Sequence, residues 1–357
     1  MKKDNTKKSS RRKTVLKIAA CLLKIFVVIP TILFNVSPVA ASRLIRMMFD
    51  KEPSLPPDHL LFSDDIQIFT DISYGASGDE MLDLYMPQDT DSPRPLIIWV
   101  HGGAFVGGDK IDAKYFAQAL AFNGYAVAVI NYSRAPETRY PAPVLQTGQA
   151  YTFLTTGSYP GKSKVDTSRV FFAGDSAGAQ IVAQFAILQT NMQYRQSFLA
   201  ANGADALPAV IPGDILKGML LYCGPYSTER MTNISSPLLG FFFRQTSWAY
   251  IGDRDYADSA VFGEIDIVNN VTGDFPPSFI TDGNALSFPE HGKELEARLL
   301  GLKIPVDSLF FDDDPAKVRH EYQFELQTEA GQLALKRTLV FLDYYSVQET
   351  TPNQQED

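Results

Sequence analysis

The sequence predicts an α/β protein: a mostly parallel sheet of eight strands with helices on both faces. Two observations carry this. Short runs that are apolar at every position recur along the chain, as strands covered on both faces require. Segments of helical period separate them, and that alternation builds a doubly wound sheet. The composition permits it. Of 357 residues, 45% are hydrophobic and 20% charged, which is ordinary for a globular chain and excludes a disordered, collagen-like or low-complexity one.

The elements follow in chain order. Residues 1–51 carry twelve Lys or Arg against two acids. Lys2 to Lys17 are followed by the 18 charge-free residues from Ile25 to Ser42, about 27 Å as a helix at ~1.5 Å per residue, barely a bilayer core. The basic flank would stay in the cytoplasm and put the rest of the chain outside. Two readings stand: an uncleaved membrane anchor with an extracytoplasmic body, or a signal peptide cut after Ala41, leaving a secreted one. Proline-rich residues 52–60 read as a linker. The folded body spans 61–348, and 349–357 form a polar tail.

Within the body, strands are expected at 66–74 and 81–86, antiparallel around the Gly75–Gly78 turn. Further strands are expected at 96–100, 126–130, 170–173, 219–222, 279–281 and 309–311. Helices are expected at 113–123, 142–155, 177–189, 290–302 and 329–345. Residues 191–213 and 227–274 break the alternation. The second stretch contains Phe241, Phe242, Phe243 and Trp248 and reads as a cap inserted over the carboxyl ends of the strands, where such sheets bind ligands. The body holds twenty basic and thirty-nine acidic residues, so it repels phosphates and is no nucleic-acid partner. Of two cysteines, Cys21 lies in the leader and Cys223 in the body, so the body has no internal disulfide.

Gly174-Asp175-Ser176-Ala177-Gly178 follows a strand and opens a helix. That setting gives G-x-S-x-G a mechanism: a sharp turn presents the Ser176 hydroxyl as a nucleophile, and the Ala177 amide at the helix start faces a developing oxyanion. His101-Gly102-Gly103-Ala104-Phe105 follows the strand at 96–100. Glycines there let backbone amides approach the same oxyanion, with Gly103 and Ala104 as donors and Gly102 shaping the turn. Asp175 is expected to anchor the elbow, and His101 to hold the loop.

These motifs, with Y-S-R-A-P-E-T-R-Y-P-A-P at 132–143 and L-D-L-Y-M-P at 82–87, resemble the hormone-sensitive-lipase-like bacterial esterases, a branch of the α/β-hydrolases. Ala104 stands where that family has a third glycine. The resemblance, from about Asp71 to Tyr345, implies the α/β-hydrolase fold and the chain order serine, acid, histidine. It makes His320, in His320-Glu321-Tyr322-Gln323-Phe324, the general base, with His291, expected to be exposed, as the alternative. The family's acid aligns with Asn284. An asparagine stabilises an imidazolium poorly, so Asp282 at the strand end is the favoured acid, with Asn284 as a neutral orienter and Glu290 as alternatives. The implied activity is a serine esterase acting on short-to-medium acyl esters, with a small-molecule ester as substrate and no metal or cofactor. The alternatives are amide, formamide or peptide hydrolysis at the same site, or an inactive membrane-tethered binding protein. Oligomeric state is not read from the sequence.

Overall fold

Eight short apolar strands with no room for polar edges require cover on both sides, and the chain supplies it. The computed structural model describes residues 14–18, 24–49, 52–62, 64–88, 92–203, 207, 210–234, 236–312 and 315–347. Strands β1 (Ile66–Ser73), β2 (Met81–Pro87), β3 (Arg94–Val100), β4 (Ala126–Ile130), β5 (Val165–Asp175), β6 (Leu216–Tyr222), β7 (Ser278–Thr281) and β8 (Val306–Leu309) form one sheet in the order 1-2-4-3-5-6-7-8. β1 pairs with β2, and β2 with β4, antiparallel. Every later pairing is parallel. This is the α/β-hydrolase fold.

The helices are α1 (Ile29–Val36), α2 (Val39–Phe49), α3 (Lys114–Phe122), α4 (Ala142–Thr156), α5 (Ala177–Thr190), α6 (Met192–Asn202), α7 (Thr228–Thr232), α8 (Pro237–Ile251), α9 (Ala260–Glu264), α10 (Ile267–Asn270), α11 (Pro289–Gly301) and α12 (Glu329–Val347). Side-chain alternation along β3 divides the core in two. Leu96, Ile98 and Val100 face the layer of α4 and α5. Ile97 and Trp99 face α3 and α12. Buried on both sides, β3 and β4 lock their register, since a one-residue slip would exchange the two faces.

Two expectations are corrected, and a stretch that breaks the alternation is seen to hold a helix. The last strand is Val306–Leu309, not 309–311. It is an edge strand with half-exposed Val306, Asp307 and Ser308, so it lacks the all-apolar signature, and Phe311 packs beyond it in the core. The stretch 191–213 contains a regular helix, α6, capped by the Asn191 side chain on the Tyr194 amide at 3.0 Å. The 18 residues from Ile25 to Ser42 are not one helix. A wide turn at Lys24–Val28 runs into α1, Ser37 is extended before Pro38, and α2 then restarts. A residue preceding proline is pushed out of the helical region. Among the described residues, no helix is long and apolar enough to cross a membrane. Residues 1–13 and 19–23, with most of the basic cluster and Cys21, lie outside the described residues.

α2 instead docks on the body. Ala41, Ser42 and Ile45 are buried. Arg46 donates from Nε to Val106 O at 2.5 Å and from Nη2 to Ala135 O at 2.7 Å, and pairs with Glu137. The insertion at 227–274 folds into α7 to α10 around a small core of Met231, Phe243, Tyr256, Phe262 and Ile265. α1 leans on it, with Phe34 edge-on to Phe241 at 5.6 Å and Phe34 O accepting from Gln245 Nε2 at 3.2 Å.

Candidate active site

β5 lies in the middle of the parallel run, and its end carries Ser176, the residue expected as nucleophile. Ser176 sits between β5 and α5 at φ 49°, ψ −119°, a conformation a residue with a side chain holds only under constraint. Two contacts supply the constraint. A side chain at Gly174 would meet the Gly178 carbonyl carbon at 2.5 Å, and one at Gly178 would meet Val100 O at 2.0 Å. Strand, turn and helix therefore close up only with glycine at both positions. The Ser176 amide donates to Tyr222 O at 2.8 Å, and its Oγ lies 2.9 Å from His320 Nε2.

The oxyanion loop leaves the end of β3 with positive φ at Gly103, Ala104 and Phe105, so successive amides curve around one point, as in anion-binding nests. Among the described residues, the amides of Gly103, Ala104 and Ala177 donate to no backbone or side-chain acceptor. The Gly102 amide is different: it donates to Asp175 Oδ2 at 2.8 Å. Gly102 belongs to the oxyanion loop as expected, but its amide is already engaged, so it shapes the turn and does not donate to the oxyanion. Asp175 also accepts from Trp99 Nε1 at 2.7 Å, which ties the elbow to β3. His101 is buried, donates from Nδ1 to Gly102 O at 2.8 Å and stacks on Tyr132 at 4.5 Å. Burial pushes it down to about 4, so it is a neutral brace.

Asp282 follows β7 directly and is buried, but it reaches His320 through another residue. His320 Nδ1 lies 2.7 Å from Ser287 Oγ, and Ser287 Oγ donates to Asp282 Oδ1. With Nε2 accepting from Ser176, Nδ1–H donates to Ser287. The result is a line of four: Ser176, His320, Ser287, Asp282. The Gly283 amide gives Asp282 Oδ1 a second donor at 2.7 Å. Burial raises Asp282 to about 6, against the hydrogen bonds from Ser287 and its neighbours. Burial also pushes His320 down to about 4, so the resting imidazole is a free base at neutral pH. The Phe288 ring packs on it at 4.7 Å.

The other candidates are placed elsewhere. Asn284 donates to Phe311 O at 2.8 Å and Ala316 O at 3.1 Å and accepts from the Val318 amide at 3.0 Å, so it pins the following loop. Glu290 is exposed and pairs with Lys293. His291 is buried, not exposed, and its Nδ1 accepts from the Ser227 amide at 3.1 Å. Sequence reasoning missed Ser287, which lies in no motif. The substitution of asparagine at the family's acid position was the one sign that this loop is rebuilt. Cys223, Asp282 and His320 bring potential ligand atoms within 4.8 Å of one another, but both imidazole nitrogens are occupied by serine hydroxyls.

Two cavities flank His320. One of about 300 Å³ is lined by Gly103, Asp175, His320 and Glu321, with Met48 and Phe49 at the end of α2 also in its wall. The other, about 500 Å³, lies beyond Ser287 and Phe288 against Ile234, Leu239 and Phe243 of the cap.

The profile of the BD-FAE family matches residues 82–288. A probable isoprenylcysteine alpha-carbonyl methylesterase from Oryza sativa subsp. japonica is 33% identical over 119 residues, 33% of this chain and 28% of the relative. The chain thus aligns with less than a third of that relative's length. Esterase B from Lactobacillus rhamnosis superposes with TM-score 0.67 at 17% identity, over 95% of this chain and 96% of that one. An esterase from the bacterial hormone-sensitive lipase family superposes with TM-score 0.61 at 20% identity, over 87% and 92%. At these identities the two structures establish the shared fold.

Proposed function

The chain belongs to the BD-FAE family, and from that premise we propose that it is a serine esterase that hydrolyses carboxylic esters through an acyl-enzyme on Ser176. One observation carries the reading: Ser176 Oγ lies 2.9 Å from a neutral His320 Nε2, opposite the unengaged amides of Gly103, Ala104 and Ala177.

Ser176 attacks the ester carbonyl as His320 takes its proton. The three amides receive the oxyanion, and in such sites each donor contributes about 10²–10³ in kcat. His320 passes the proton to the leaving alkoxide. Ser287, polarised by its bond to the Asp282 carboxylate, accepts from the imidazolium Nδ1–H, so the carboxylate stabilises the imidazolium through that hydroxyl. Water, activated by the same imidazole, then releases the acid. The cap cavity is lined by Leu239, Phe243 and Phe288 together with charged Glu229, Arg230 and Glu294; its apolar part takes an acyl chain of short-to-medium length, and the methylesterase among the relatives favours esters over amides.

The N-terminal segment tethers this domain to a membrane, with the body on the extracytoplasmic side. Its support is the basic flank and the exposed Ile29, Ile32, Leu33 and Val36 of α1. The point after Ala41 lies inside docked α2, which favours retention over signal cleavage. Assay of p-nitrophenyl butyrate tests the catalytic reading: Ser176→Ala is expected to lose at least about 10⁴ in kcat, and unchanged turnover would refute it.

A further inference from the structure

Glu321 follows the catalytic histidine at φ 59°, ψ 30°, the left-handed region that side chains other than those of asparagine and aspartate rarely adopt. That backbone turns its mostly buried carboxyl inward. Oε1 lies 3.8 Å from His320 Nε2. A side chain at Gly102 would meet Asp175 Oδ2 at 2.5 Å and Glu321 Oε1 at 2.6 Å, so the two carboxyls converge over the turn of the oxyanion loop. They are close enough that the charge of Asp175 opposes ionisation of Glu321. Two carboxyls in contact in a low-dielectric site cannot both ionise. Asp175 receives one N–H on each oxygen, from Trp99 and Gly102, which favours its anion. The proton therefore belongs to Glu321.

We propose that Glu321 is a positioning residue of this site: held as the neutral acid, it donates to Asp175 and so fastens the histidine loop to the oxyanion loop. The inference rests on the esterase reading of Ser176 and His320. The clamp joins three segments that meet only here: the end of β3 through Gly102, the elbow through Asp175, and the His320 loop through Glu321. It keeps the base and the oxyanion amides in one frame.

The surroundings favour the neutral form. Burial is the largest cause of the raised Glu321 pKa, and the charges of Asp175, Asp112 and Asp282 add to it from three other segments. Asp112, ahead of α3, is itself raised to about 7 by burial, with Arg134 opposing. Beneath, the Glu321 amide donates to the Cys223 thiol at 3.4 Å, and burial keeps that thiol protonated. Tyr132, which donates to Gly102 O at 3.1 Å, is held neutral as well. Glu52 and Glu325 line the same cavity. Removing the proton in alkaline solution sets two anions against each other. Glu321 then swings toward that cavity and carries His320 off Ser176.

The test uses full-length protein: wild type, Glu321→Gln, which keeps a neutral donor of the same shape, and Glu321→Met, which keeps only the length. Wild-type kcat on p-nitrophenyl butyrate is expected to fall on the alkaline side in a one-proton step, about tenfold per pH unit. Glu321→Gln should stay within about threefold of wild type at neutral pH and lack that step, while Glu321→Met loses about tenfold or more in kcat at every pH with KM little changed. Infrared difference spectra should show a neutral carboxylic-acid band in wild type that Glu321→Gln lacks. Fluorophosphonate labelling of Ser176, run on all three, judges the esterase reading separately. An alkaline step retained in Glu321→Gln, activity as low as that of Glu321→Met, or failure of Glu321→Gln to fold at neutral pH would each overturn the proposal.

Discussion

His320 has one hydroxyl on each ring nitrogen, and the consequences can be measured. Ser287→Ala interrupts the line to Asp282 without touching Ser176. It is expected to lower kcat about 10- to 100-fold with little change in KM, and Asp282→Ala more. Residues that act as one unit are not additive, so the double variant should be no slower than Asp282→Ala alone. A product of the two single losses would mean that Ser287 and Asp282 act independently. The pH dependence has a definite sign. The base works only when neutral, and the acid only when ionised. Activity must therefore fall as pH drops through the region of about 6 to about 4 where Asp282 and His320 take up protons, as macroscopic steps of the coupled line. A kcat/KM that is flat down to pH 4 would contradict it. At this scale the sequence was readable where a motif fixes geometry, as at Ser176 and the Gly103 loop. It was not readable at Ser287, whose role depends on where a loop between β7 and α11 happens to fold.

The elements behave according to how much of their surface is covered. Central strands such as β3 and β4 announce themselves by unbroken apolar runs, whereas the half-exposed edge strand β8 does not, and its boundary fell three residues early. The cap carried too little periodicity in α7, α9 and α10, each of four or five residues, for its helices to be told from loop. α2 was hidden for another reason: its apolar stretch suits a bilayer as well as a protein surface, and the burial of Ala41, Ser42 and Ile45 with the contacts of Arg46 distinguishes them. Arg46→Ala removes two bonds to the backbone carbonyls around the oxyanion loop. It should cost about 1–3 kcal/mol of stability, read by urea unfolding, and an unchanged midpoint would show that α2 is not clamped. At Gly178 the Cβ of an alanine would stand 2.0 Å from Val100 O, so Gly178→Ala should destabilise by about 3 kcal/mol or more. A folded, active alanine variant would disprove the close approach of α5 and β3.

The molecule as a whole is divided in charge, with a basic first 51 residues and an acidic remainder. The acidic body gives an anionic membrane surface nothing to attract, so association with one must run through the N-terminal segment. The full chain should sediment with membranes with its N-terminus intact and be released by detergent but not by high salt, because apolar contact does not respond to screening. Release by salt alone, or a mature chain beginning at Ser42, would contradict the tether. What unites these scales is one contact on which nucleophile, base and oxyanion loop all converge. Labelling the intact protein with a fluorophosphonate and mapping the adduct by peptide mass tests it most directly. One adduct per chain, on Ser176 and absent from His320→Ala, is the predicted result; no adduct, or an adduct on another residue, would contradict it.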